Sequence, residues 1–128
     1  MVYTATHLAL ALLEQLVHLN PEQLPDTFRA FAIDVPDDVV SEVVVWDAAP
    51  DDSAVCRRYG DAWAQSQRSA VLIVRSAVLP ARLQPGEIAT DERNVLLNPR
   101  HPSAGVWRVT ETSFRVDGRL RGTRQGSV

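Results

Sequence analysis

Residues 8–19 are apolar almost all the way round a helical wheel: Leu8, Leu12, Leu16 and Leu19 mark one side, and Leu10, Leu13 and Val17 another. A helix with so wide an apolar circumference belongs inside a domain. One narrow stripe is polar. His7, Glu14 and His18 lie seven and four residues apart and share a side of a 3.6-residue helix. A carboxylate among leucines is costly unless it has a partner or a task. Glu14 is therefore the residue that the rest of the chain has to account for.

Before this helix, Val2-Tyr3-Thr4 has strand composition, and Thr4 or Thr6 is the expected N-cap. Asn20-Pro21 ends the helix, because proline disfavours a helical residue before it. Residues 21–27 read as a loop. Residues 27–35 alternate, with Phe28 against Arg29 and Ile33 against Asp34, and predict a strand. Residues 39–46 carry five valines and predict a buried strand. An acidic turn at 47–54 leads to a short helix starting at Asp52 or Ser53 and running to Gln65. Residues 69–76 form a continuous apolar run and predict a strand covered on both faces. A loop follows over 80–93, with Pro85-Gly86 as its turn signal. Residues 94–97 make a short apolar strand that stops at Asn98-Pro99-Arg100-His101-Pro102. Residues 107–109 and 113–116 read as two last strands, Asp117-Gly118 as a turn, and 118–128 as a polar tail expected to fray.

Strands and helices do not alternate in βαβ units, so the expected class is α+β, one domain over 1–128 with its core in 1–117. Length and composition agree: 128 residues with 45% hydrophobic and 23% charged are those of an ordinary globular domain. A net charge of −3 gives no electrostatic footprint of a nucleic-acid binder. All thirteen basic residues are arginine, so each can bind carboxylate or phosphate through two parallel bonds. The lone Cys56 excludes an internal disulfide and fits a reducing, cytoplasmic setting. Arg57 and Arg58 beside it favour the thiolate, yet a bland cysteine is the better reading. The leucine-rich stretch is too short to span a bilayer, and no basic segment precedes it as in a signal peptide.

Phosphate-binding glycine loops and the GxSxG elbow are absent from the sequence. Glu14 and His18 have the spacing to share a metal ion, with His7 or His101 as a third ligand, but HExxH spacing and a cysteine cluster are missing, and no metal is expected. The plainer alternative makes Glu14 a structural hydrogen-bond acceptor and places His18 at the negative end of the helix. Ser76 closes the central apolar strand, where side chains reach clefts, but a serine there is most often a turn former.

Taken together, five stretches resemble the RES-domain family, the toxin halves of bacterial toxin–antitoxin pairs. They are Val2-Tyr3-Thr4-Ala5 leading into Leu8 to Glu14 and then Val17-His18; Arg58-Tyr59-Gly60-Asp61-Ala62-Trp63, similar to a "GDxW" element; and Val71-Leu72-Ile73-Val74-Arg75-Ser76, similar to an "LxVPSxv" strand with Arg75 in place of the usual proline. Asn94-Val95-Leu96-Leu97-Asn98-Pro99-Arg100-His101-Pro102 is near to "NyLlNPxHP", and Phe114 to Leu120 is near to "fxxDxRl". All five run in the family's order.

The resemblance implies an ADP-ribosyltransferase-like fold, with the N-terminal helix buried against a twisted, mainly antiparallel sheet. It also implies cleavage of NAD, as substrate, at the nicotinamide–ribose bond by hydrolysis or phosphorolysis. On that reading Glu14, Tyr3 and Ser76 are the catalytic residues, and Tyr3, Ser76 and Asn98 contact NAD. The partner is a helix-turn-helix, Xre-like antitoxin. The family's arginine lies in a "GGRWN" element upstream of the first strand, and no arginine here stands in that place. The expectation is an N-terminally shortened relative. It is either an enzyme whose arginine is supplied by a longer natural chain, or a catalytically weak module that only binds the antitoxin. A sheet lacking its opening strand exposes an edge and favours a homodimer or a covering partner.

Overall fold

A computed structural model describes residues 1–44, 53–76, 78 and 92–121. The chain forms β1 (Val2–Ala5), α1 (Leu8–His18), β2 (Thr27–Asp34), β3 (Ser41–Val43), α2 (Ser53–Ser66), β4 (Val71–Arg75), β5 (Arg93–Leu97) and β6 (Arg108–Arg115), with short 3-10 turns at Pro21–Gln23, Pro102–Val106 and Gly118–Arg121. The class is α+β, as expected.

One sheet has the order β1-β5-β4-β3, and a second is the two-stranded ribbon β2-β6. Pairing is antiparallel except for β3 beside β4. Leu72 and Leu96 are register partners on one face of the larger sheet, and Trp63 of α2 closes over them. Val71 and Leu97 are partners on the opposite face, where Ala70 joins them and Ile33, Val35 and Trp107 pack alongside. So β4, the continuous apolar run, is covered on both faces at its start. The sheet forms between strands far apart in sequence, and the two cores lie where α2 and the base of the ribbon meet it.

Several local expectations are corrected. Thr4 and Thr6 do not cap α1. Thr4 Oγ1 donates to the Val95 carbonyl at 2.7 Å, and Thr6 Oγ1 accepts from the Arg93 amide at 3.1 Å, so β5 draws both threonines away. His7 takes the N-cap position without a side-chain bond. The apolar circumference of α1 is also less enclosed than predicted: Leu10 is buried, but Leu8 is 52% and Val17 61% exposed. Leu8 opens onto a groove of about 1190 Å³ bounded also by Ala11 and Leu12 of α1, Phe28 and Phe31 of β2, and Val95 of β5.

The valine-rich strand is short and sits at the sheet's edge, leaving Val40 and Val43 exposed; positions 45 and 46 lie outside the described residues. The two final strands are one. Thr110, Glu111 and Thr112 pair in register with Ala32, Phe31 and Ala30, and because the ribbon is exposed its polar stretch need not break the ladder. Pro21–Gln23 is a 3-10 turn with an Asn20–Gln23 capping box, not plain loop. The start of the polar tail, Gly118–Arg121, is also a helical turn. The loop expected over 80–93 falls outside the described residues up to position 91.

No helix of the described residues is long and apolar enough to cross a membrane.

Candidate functional site

Alternation along the strands selects the groups that meet at the C-terminal end of β4. Asn94 is the second residue of β5 and faces Val74 in register, on the face that also carries Leu72 and Leu96. Ser76 follows β4 and is fully buried. Glu14 reaches the same point from the second turn of α1. Ser76 Oγ donates to Glu14 Oε1 at 2.6 Å, and Asn94 Nδ2 donates to the same oxygen at 3.0 Å. The Val78 amide donates to Ser76 Oγ at 3.0 Å and fixes the hydroxyl in its turn. Residues 14, 76 and 94 are thus joined across 62 and 80 positions of chain.

What is left over matters more. Among the described residues Glu14 Oε2 accepts no hydrogen bond. Asn94 Oδ1 is buried and has no partner. One carboxylate oxygen is held rigidly and the other is available, beside an acceptor that can take a donor from a bound molecule. A buried polar atom without a partner costs about 1–3 kcal/mol, so this arrangement gains from a ligand rich in hydroxyl groups.

Of the residues singled out from sequence, Glu14 and Ser76 are brought together. Tyr3 is not in contact with them. It lies on β1 opposite Leu96, on the sheet face shared with Asn94, and its side chain is 74% exposed. Ser76 Oγ donates to Glu14 and so positions its carboxylate. Asn98 has its hydrogen bonds elsewhere. Its amide donates to the Ala64 carbonyl at 3.0 Å and accepts from the Arg100 amide at 3.1 Å, bracing α2 against the turn after β5. Asn94 was the missed residue. Its signal was an amide at the head of an otherwise apolar strand run, Val95-Leu96-Leu97.

Three of the four candidate metal ligands have separate partners: Glu14 is held by Ser76 and Asn94, His7 Nδ1 meets Glu92 at 3.0 Å, and His101 Nδ1 accepts from the Ser103 amide. Among the described residues no three His, Cys, Asp or Glu side chains stand close enough to hold an ion. Cys56 is exposed on α2, away from this cluster in sequence and element.

A second polar cluster lies at the other end of β4. Arg68 donates to Glu42 through Nε at 2.8 Å and Nη2 at 3.0 Å, and Tyr59 Oη donates to the same carboxylate at 3.2 Å. Trp63 Nε1 donates to Ser69 Oγ at 2.7 Å. The Arg68 hydrogen bonds hold the Glu42 carboxyl below its usual range, with burial opposing.

Comparison with known proteins adds the following. The family model described as RES domain matches residues 1–118. A protein of Sphingobium sp. named "Prs ADP-ribosylating toxin" is 40% identical over 112 residues, which are 80% of this chain and 63% of that protein. The chain therefore spans less than two thirds of that relative's length. Proteins named "Toxin Res" from Pseudomonas putida and Photorhabdus laumondii are 33% and 31% identical, over 93% of this chain in both cases and 78% and 74% of their own lengths.

Proposed function

This chain belongs to the RES domain family, and from that premise we propose that it is a toxin domain that breaks the nicotinamide–ribose bond of NAD and is held in check by a cognate antitoxin. The observation that carries the reading is Glu14, with Oε1 clamped by Ser76 and Asn94 and Oε2 unengaged among the described residues.

The chemistry follows from that asymmetry. When the bond between the ribose anomeric carbon and the pyridinium nitrogen breaks, its electron pair leaves with nicotinamide, which departs neutral. The sugar is left with oxocarbenium character. A fixed carboxylate beside it stabilises the developing positive charge, and it does so without reorganising at the moment of reaction. Glu14 Oε2 accepts a ribose hydroxyl, and Asn94 Oδ1 accepts a second donor from the same sugar. Ser76 and the Val78 amide set the angle of the carboxylate. Tyr3 offers an exposed aromatic face on the adjacent strand for stacking on nicotinamide. Water or phosphate then adds to the anomeric carbon and loses a proton.

A protein side chain as acceptor is the second reading. It is favoured by the name of the Sphingobium relative, which describes ADP-ribosylation of Prs. The test is incubation of the chain with NAD carrying a label in its adenosine half. Nicotinamide release is followed by chromatography, and the label is located in free ADP-ribose, in its phosphorylated form or on added Prs protein. Intact NAD after incubation with folded protein would sink the NAD reading.

A further inference from the structure

The strand pair β4–β5 ends on two arginines. Arg75 and Arg93 are register partners, so their side chains leave the same sheet face, about 5 Å apart at Cβ. Both are half-buried. Like charges placed directly opposite repel, and sheets ordinarily put opposite charges there. Among the described residues the Arg75 side chain has no hydrogen bond, ion pair or ring contact, and its Nη2 is buried without a partner. Arg93 donates Nη1 to the Glu92 carbonyl at 2.8 Å. Arg75 is also the residue immediately before Ser76, but alternation along β4 and β5 puts the arginine pair on the face of Val71 and Leu97, across the sheet from Asn94.

We propose that Arg75, with Arg93 across from it, binds a phosphate-bearing anion. A guanidinium presents two parallel N–H donors that match phosphate oxygens. A desolvated donor such as Nη2 binds an anion more strongly than one in water. Two sources share this chemistry: the diphosphate of a dinucleotide and free inorganic phosphate. Assigning the diphosphate of NAD rests on the function proposed above, whereas the anion site itself does not.

The experiment titrates the chain with pyrophosphate, inorganic phosphate and ADP-ribose at fixed ionic strength, by calorimetry and by thermal unfolding. The wild type, Arg75→Gln and Arg93→Gln are compared. The wild type is expected to bind and to gain thermal stability. Arg75→Gln weakens binding about tenfold or more, the size of a lost hydrogen bond to a charged group, and its ligand-free Tm is unchanged or raised because a repulsive pair is gone. Arg75→Lys, which keeps the charge but loses the fork, weakens binding less, and carries the comparison if the glutamine variant does not fold. Binding of ADP-ribose assigns the dinucleotide as the source; binding of inorganic phosphate alone assigns the free anion. No saturable binding by the wild type, or equal binding by the Arg75 variants, overturns the proposal. Arg75-dependent pyrophosphate binding without NAD cleavage would leave the anion site standing and sink only the NAD reading. NAD cleavage with Arg75-independent binding does the reverse.

Discussion

The two ends of β4 carry polar clusters built from similar residues, and they differ in whether their hydrogen-bonding capacity is used up. At the N-terminal end, Glu42 accepts from Arg68 through two bonds and from Tyr59, while Ser69 accepts from Trp63. Both carboxylate oxygens are engaged, and the cluster ties α2 and β3 to the start of β4. At the C-terminal end, Glu14 uses one oxygen and Asn94 one of its two amide groups. Folding alone does not favour leaving a buried acceptor unmatched or a guanidinium uncompensated, because both cost free energy. A saturated cluster is a brace, and an unsaturated one is a place for something else to bind. The contrast separates Glu42 from Glu14, two acids that look alike to any count of charge or burial.

The largest effect that breaks the symmetry is on the braced end. Trp63 is fully buried against Leu72 and Leu96. Trp63→Ala is expected to lower unfolding free energy by about 3–5 kcal/mol, read as a shift of the urea midpoint. A loss under about 1 kcal/mol would mean that α2 does not organise the core. The open end behaves oppositely. Glu14→Gln keeps the size and the contacts of Oε1 but removes the charge, and is expected to lower kcat for NAD cleavage by about 10²–10³-fold with little change in midpoint. Equal turnover would remove Glu14 from the chemistry.

How much of this was legible in the sequence differs between the two ends. The boundaries of α1 were set locally by Asn20-Pro21, and β4 announced itself as an unbroken apolar run. Glu14 stood out because a carboxylate among leucines needs an explanation, and Ser76 because of the resemblance. Asn94 did not stand out, since its role exists only when β5 lies beside β4 and α1 crosses their ends, a meeting of residues 80 positions apart. The same long-range pairing took Thr4 and Thr6 away from capping α1. The undivided β6 was hidden for another reason: in a ribbon exposed on its faces, periodicity carries little information about where pairing stops.

Asn94→Leu sharpens the comparison because it should move activity and stability in opposite directions. It removes one clamp on Glu14 and the acceptor assigned to the substrate sugar, so kcat/KM is expected to fall about tenfold, the size of one hydrogen bond. It also removes a buried unpaired oxygen, so the urea midpoint should hold or rise. A fall in both would make Asn94 another brace, like Asn98.

The smallest effect is electrostatic and belongs to the braced end alone. The hydrogen bonds from Arg68, followed by its charge and the bonds from Tyr59 and Ser69, keep Glu42 ionised to lower pH than the ordinary carboxylate value of 4.5. A group whose folded pKa is depressed contributes stability that is fully present above its unfolded pKa and is lost as pH falls through the folded one. The wild type should therefore be more stable than Glu42→Gln at pH 7, and that margin should shrink only below about pH 4.5. The pair is partly exposed, so the margin should be small and should narrow further with added salt. Thermal unfolding of both proteins between pH 7 and pH 3 measures it. A margin that is constant across this range would mean that Glu42 braces α2 by its shape and neutral contacts, with its charge contributing nothing.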